Sequence, residues 1–329
     1  MTARRWLGLA IALAALAAVL VLSIGVGTRP IGLGTVWNGL LSADSLEGDI
    51  VRDGRVPRTI LGLEVGAALG LAGALMQALT RNPLADPGLL GINAGAAAAV
   101  VAAMAGFGIT RLTGHVWFAM GGAALAVLLV FGLGSRGRSV ATPVRLVLAV
   151  TALSATLAAV IAGVVLMRPA VFDQFRVWEL GALSGRGDAV GPIAPFVLAG
   201  IVVAVLVARP LNALALGDEA GRGLGARPAR TRALTAVAIT ALCGAATAAA
   251  GPIVFIGLTV PHMARAIVGP DQRWVLVYSM FFGALLLLVA DTVGRVIDRP
   301  GEVQAGAVVA VLGAPVFMAL VRRRRLAHL

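Results

Sequence analysis

The sequence predicts an all-α membrane fold with ten spans, and three observations support it. The 329-residue chain is 59% hydrophobic, with a mean hydropathy of +0.96. Only 13% of its residues are charged, against roughly 25% in soluble domains. Its apolar residues gather into runs close to the length of about 20 that crosses a bilayer as a helix. The runs follow one another with no disordered linker, so residues 1–329 read as a single transmembrane domain.

The formal net charge is +12, and all 27 basic residues are arginine. A soluble chain with so high an isoelectric point would suggest nucleic acid. Here the arginines flank apolar runs and set topology, so no nucleic-acid partner is expected. The single cysteine, Cys243, lies inside an apolar run and argues against a disulfide or a metal site. His115, His262 and His328 have no ligand spacing.

The first run, Trp6–Val26, follows Arg4 and Arg5. It is longer than the roughly 7–15 apolar residues of a signal peptide, so it reads as a retained span. The second, Thr59–Leu79, places Gly62, Gly66, Gly70 and Ala74 four apart. That stripe lets another helix approach closely, although a pore-lining helix could use it too. Before the third run, Gly91–Ile109, the chain breaks at "TRNPLADPGLLG" (Thr80–Gly91). Pro83 and Pro87 remove donors and forbid a continuous helix. Gly88 and Gly91 permit close approach or unusual dihedrals. Asn82 and Asp86 can bond nearby freed amides. Irregular backbone at membrane depth survives only where protein buries it or water reaches it. The stretch is therefore expected to line the inner end of a water-accessible path.

Val116–Leu133, Val144–Met167, Ile193–Ala208 and Leu234–Ala250 follow as further spans, then the short Gly257–Val268, Trp274–Gly294 and Val303–Val321. Ten spans put both termini on one side. The arginine bias of the loops makes that side cytoplasmic, with Asp86, Asp218, Glu219 and Asp271 the inside acids. The longest inside loop, Arg209–Arg232, mixes small apolar residues, charges and glycine breaks. Two short amphipathic helices on the membrane surface would fit it. "NPLADPGLL" (Asn82–Leu90) and "GPIVFIGLT" (Gly251–Thr259) echo each other at the ends of spans two and seven, on opposite faces. An inverted repeat produces that pattern.

Several longer stretches carry a resemblance. "RVPRTILGLEVGAALGLAGALMQALTRNPLADPGLLGINAGA" (Arg55–Ala96), "LALGDEAGRGLG" (Leu214–Gly225), "GPIVFIGLTVPHMAR" (Gly251–Arg265), "LLVADTVGR" (Leu287–Arg295) and "LGAPVFMALVRR" (Leu312–Arg323) occur in order along nearly the whole chain. Together they resemble the permeases of iron-siderophore, haem and cobalamin ABC importers. The resemblance implies a bacterial inner-membrane protein that works beside a second permease subunit, identical or different. It also implies two ATPase subunits inside, which hold the ATP and Mg, and a substrate-binding protein outside. A chain without lysine has no G-x-x-x-x-G-K-[ST] phosphate loop, so the ATPase must be another polypeptide and this chain should bind no cofactor.

The resemblance also assigns residues. Leu216, Gly217, Asp218, Glu219, Ala220 and Gly225 match the ATPase-coupling pattern Glu-Ala-Ala-x3-Gly, with Gly221 in place of the second Ala. That change costs a helix about 1 kcal/mol. Arg55, Arg58 and Arg295 correspond to basic knobs for acidic residues of the binding protein, a task suited to the planar guanidinium fork. Asp291, four residues before Arg295, offers a local intrahelical pair instead. The path would involve spans two and five, with Gln77, Asn82, Pro83, Asp86, Gly88 and Thr142. Glu64 and Asp291 lie within spans, where an ionisable residue suggests function. Both sit toward the outer ends, and for Glu64 pairing with Arg58 or a place in a polar cavity wall is expected. The implied function is import of a ferric siderophore-type chelate, with cobalamin or haem as alternative cargo. A secondary transporter would need a titratable or unwound ion site near the midplane, and an intramembrane enzyme would need paired acids or an activated nucleophile. Neither stands out.

Overall fold

The computed structural model describes residues 2–28, 32, 34, 46–109, 111–134 and 143–326. The helices are α1 (Thr2–Gly25), α2 (Val56–Thr80), α3 (Ile92–Phe107), α4 (Leu112–Gly134), α5 (Pro143–Met167) and α6 (Pro169–Glu179). They continue with α7 (Val190–Ala215), α8 (Asp218–Gly223), α9 (Pro228–Ala250), α10 (Ile256–Val268), α11 (Gln272–Ile297) and α12 (Ala305–Leu326). A π-helical turn, Ile50–Arg55, leads directly into α2. Among the described residues, seven helices are long and apolar enough to cross a membrane: α1, α2, α4, α5, α7, α9 and α11. The apolar parts of α3, α10 and α12 are shorter. Each of the ten runs read from the sequence falls on one of these ten helices.

Two expectations need correction. α6 is an extra short helix after span five, amphipathic and too short to stand out as a run. The loop Arg209–Arg232 holds one short helix, not two. α7 continues to Ala215 and α9 begins at Pro228, so only α8 fits between them. Apolar Leu211 and Leu214 are buried and carry α7 past the position where its charges suggested an end.

α2 is the centre of the bundle, with 83% of its most apolar stretch buried, whereas the corresponding stretch of α5 has none buried. The small-residue stripe explains the difference. A Cβ on Gly66 would stand 2.6 Å from the Ala284 Cα, and one on Gly70 would collide with the Ser279 carbonyl. Gly283 answers from α11, with its own missing side chain against Gly66 and Gly70. The stripe is therefore a helix–helix contact. Large side chains there would push α2 and α11 apart, and overpacking of this kind typically costs about 1–3 kcal/mol.

The break after α2 is built as its residues suggest. Arg81 ends the helix in the left-handed region (φ 53°). The Asn82 Oδ1 accepts from the Leu84 amide (3.0 Å), and the Asp86 Oδ1 accepts from the Gly88 amide (2.8 Å). One 3-10 turn, Pro87–Leu90, leads to Gly91 at φ 75° and into α3. The echoing stretch Gly251–Phe255 is also non-helical, with Gly251 and Phe255 at positive φ. The two breaks meet: a Cβ on Gly257 would lie 2.9 Å from the Pro87 Cδ. Pro261 and His262 fall in the second turn of α10 rather than at its start.

A helix leaves its last four carbonyls without intrahelical partners, and arginines supply donors at several such ends. Arg168 reaches the Ala105 carbonyl near the end of α3. Arg5 reaches Val268, the last residue of α10, at 2.8 Å. Arg186 bridges the ends of α6 and α9 through Val177 (3.1 Å) and Ala249 (3.3 Å). Burial lowers the Arg186 pKa to about 10, so it stays cationic at neutral pH.

Candidate functional site

At one end of the bundle, α8 stands as a short arm between α7 and α9. Gly217, at φ 112°, makes the turn that frees it from α7. Asp218, its first residue, is gripped from two sides: Arg81 at the end of α2 (2.6 Å) and Arg232 near the start of α9 (2.8 Å). The Arg81 hydrogen bond is the main reason its carboxyl is held below the usual range; slight desolvation opposes that and Arg232 adds to it. Gly221 is the buried residue of the arm, and a Cβ there would lie 2.8 Å from the Leu214 Cδ2. Its departure from the alanine pattern therefore lets α8 lie close against α7. Glu219, Ala220 and Gly225 face outward, and so do Leu216 and Leu224, at 70% and 66% exposure. The arm is fixed at its root, and its apolar flanks are uncovered.

Beside the arm is a cleft of about 520 Å³ lined by Gln77, Arg81, Pro83, His262, Arg265 and Gln272, with small alanines between them. Gln77 is buried and cross-braced. Its amide donates to the Gly257 and Leu258 carbonyls (3.2 and 3.1 Å) and its oxygen accepts from Arg265 (2.6 Å). It thus ties α2 to the first and last turns of α10. Of the expected path residues, Gln77 and Pro83 reach this cleft. Asn82, Asp86 and Gly88 are engaged in the local turn, and Thr142 lies outside the described residues. Burial raises the Asp86 pKa, and the Gly88 amide works against that rise.

At the opposite end, the three arginines expected as knobs turn inward. Arg55 and Arg295 are only 6% and 2% exposed. Arg55 donates to the Ile24 and Gly25 carbonyls (3.0 and 2.8 Å). Arg295 donates to the Ser23 and Val26 carbonyls (2.6 and 3.0 Å). Arg299 adds a bond to the Gly27 carbonyl (3.0 Å). The cause is the α1 C-terminus, whose unpaired carbonyls and dipole attract cations. Arg295 also makes the intrahelical pair with Asp291. Arg58 makes a fork on the same carboxylate, with Nη2 2.8 Å and Nε 3.1 Å away. A second carboxylate, Glu302 on the α11–α12 connection, sits 2.6 Å from Arg58 and accepts from the Ser184 hydroxyl at 2.9 Å. Burial pushes the Glu302 carboxyl up, and Arg58, Ser184 and Arg295 together more than offset it, leaving it below the usual range. Glu64 does not pair with Arg58: its Oε2 is buried with no hydrogen-bond partner among the described residues. His115 bonds the Ile109 carbonyl at 2.7 Å, a structural role.

Sequence reading missed Glu302, Ser184, Ser23, Arg81, Arg232 and Arg265. Each acts through a partner on a distant segment. Only the local pair Asp291–Arg295 announces itself, by its spacing of four.

A bundle of membrane-length apolar helices around α2, with a rooted arm at one end, defines a polytopic membrane protein. Comparison with known proteins specifies which kind. Residues 15–323 match the FecCD transport family. The ferric enterobactin transport system permease protein of Escherichia coli K12 is 47% identical over 306 residues, covering 92% of this chain and 91% of that protein. The hemin transport system permease protein of Yersinia pestis is 37% identical over 312 residues, again covering 92% of this chain and 91% of that protein. A metal-chelate type ABC transporter solved in an inward-facing conformation superposes with TM-score 0.82 at 25% identity, covering 95% of this chain and 97% of that one. The chain belongs to the FecCD transport family. It is a multi-pass permease subunit of a bacterial ABC importer of the iron-siderophore type, and ATP hydrolysis is not its own activity.

Proposed function

We propose that this permease carries a ferric enterobactin-type chelate across the bacterial cell membrane, as one transmembrane domain of ten spans with both termini in the cytoplasm. It pairs with a second permease subunit, a copy or a sister chain. The cargo passes between the two subunits, toward the cleft beside Gln77, Pro83 and the broken stretch Asn82–Gly91. α5 supports the pairing, since its apolar stretch is left unburied by its own chain. Two ATPase subunits grip α8 through Glu219, Ala220 and the exposed Leu216 and Leu224. A substrate-binding protein docks over Arg58, with Arg55 and Arg295 behind it.

The observation that carries this reading is the arm itself. Asp218 locks α8 to both α2 and α9, so force applied to the arm passes into the central helix. The cargo assignment rests on the 47% identity with the enterobactin permease, against 37% for the hemin permease.

The test is uptake into vesicles holding the permease, the ATPase and the binding protein, with labelled ferric enterobactin, ferric citrate, ferric hydroxamate, haem and cobalamin in competition. ATP-dependent uptake of the enterobactin chelate, indifferent to proton and sodium gradients, is expected. Preference for another chelate would overturn the cargo, and uptake without ATPase would overturn the mechanism.

A further inference from the structure

Four charges at the end opposite α8 form one ion-paired cluster, with Arg55 and Arg299 beside it on the α1 carbonyls. Arg58 and Arg295 face Asp291 and Glu302. The two carboxylates are held differently. Asp291 is 1% exposed and shared by both guanidiniums, whereas Glu302 is 26% exposed and touches only Arg58 among them. Its other oxygen accepts from Ser184. Ser184 belongs to the segment after α6, which Arg186 pins to the ends of α6 and α9. The connection carrying Glu302 is seated by the Val303 amide on the Gly294 carbonyl (3.0 Å) and by the Gly306 amide on the Gly181 carbonyl (2.9 Å). One carboxylate therefore joins α2, α6 and the entry to α12.

We propose that Glu302 is an internal stand-in for the binding protein's carboxylate, and that docking works by displacing it. This rests on the reading that Arg58 is a docking residue. An incoming acid must compete with Asp291 and Glu302 for Arg58, and one of the two gives way. Glu302 leaves because it is the more solvated and has the single arginine partner. Asp291 stays because a buried carboxylate held by two arginines is far costlier to strip. Departure of Glu302 also releases Ser184. The α6 segment and the α11–α12 connection then lose their shared tie, and the mouth between them loosens only when the loaded binding protein is present.

The experiment uses the permease–ATPase complex in nanodiscs and the importer's own binding protein. Glu302→Gln keeps the side chain's shape and its acceptor for Ser184 but removes the competing charge. It is expected to tighten binding-protein docking about tenfold, about 1.4 kcal/mol. Without the binding protein, it should also speed amide exchange in residues 180–186 and 298–304 part of the way to the rate the docked wild type reaches, because the Arg58 pair is lost while the Ser184 bond is kept. Ser184→Ala, which weakens one arm of the tie, should give part of both effects. Arg58→Gln separates the two readings. If it docks as the wild type does, Arg58 is no docking residue and both readings fall. If it weakens docking while Glu302→Gln leaves affinity and exchange unchanged, the docking reading stands and the stand-in is overturned.

Discussion

The two ends of this permease use the same chemistry, arginine on carboxylate, in opposite settings. Opposite α8, the side chains of Arg58, Asp291 and Arg295 are 13%, 1% and 2% exposed. At the α8 end, those of Arg81, Asp218 and Arg232 are 42%, 31% and 47% exposed. Exposed pairs contribute little to stability because water screens them and long side chains lose entropy. Buried pairs matter most when broken, because the abandoned charge has no solvent. The difference teaches that one network holds the bundle together, while the other, on the proposed function, aims a lever. Removing a charge should therefore damage folding at one end and coupling at the other.

The largest expected effect is at Asp291. Asp291→Asn leaves Arg295 buried without its carboxylate, and breaking such a pair costs about 3–5 kcal/mol. The detergent-solubilised chain should lose thermal stability or fail to accumulate. A double variant, Asp291→Asn with Arg295→Leu, removes the abandoned charge and should recover most of that loss. It should not recover all of it, because Arg295 also serves the Ser23 and Val26 carbonyls at the α1 terminus. If Asp291→Asn proves as stable as the wild type, the two ends are not different in kind.

At the α8 end the expected loss is functional. Asp218→Asn weakens the grip of Arg81 and Arg232 on the arm but strands no buried charge. Stability should be nearly unchanged, while ATP-driven uptake falls roughly fivefold or more, the low end of typical coupling between sites. Continued ATP hydrolysis with reduced uptake is the signature to measure. Equal falls in both rates would mean that the ATPase no longer docks, and the lever reading would give way to a purely adhesive one.

The parts that could be read from sequence were those with local causes. Membrane helices announce themselves by length and composition, so each expected run falls on a helix. The Asn82 and Asp86 turns reach two residues along the chain, and the Asp291–Arg295 pair reaches four. Partnerships that no spacing encodes were hidden. Arg58 and Asp291 are 233 positions apart, and Arg81 and Asp218 are 137 apart. The carbonyls that Arg55 and Arg295 serve likewise belong to a helix end some thirty and two hundred and seventy residues away, so no spacing announces those bonds. Gly221 looked like a weakened helix until Leu214 supplied the reason for its missing methyl.

The smallest expected effect compares Asp218 with Asp86, two acids near the arm whose pKa values move in opposite directions. Asp218 is held below the usual range, so its contribution is present above the unfolded value and fades only as acid passes the lowered folded value. Asp86 is raised by burial, so the folded chain holds that proton more tightly than the unfolded one. Its contribution therefore falls as pH rises from the ordinary carboxylate range through the raised value. Asp86→Asn keeps an oxygen for the Gly88 amide and cannot ionise. Relative to the wild type it should be slightly stabilised at neutral pH, with the gain vanishing in mild acid. Asp86→Ala loses the turn's acceptor and should cost about 1 kcal/mol in mild acid, and less at neutral pH, where it also sheds the buried charge. Parallel melting curves for the wild type and Asp86→Asn from mild acid to neutral would show that burial does not tune this carboxyl. The break between α2 and α3 would then owe its shape to hydrogen bonding alone.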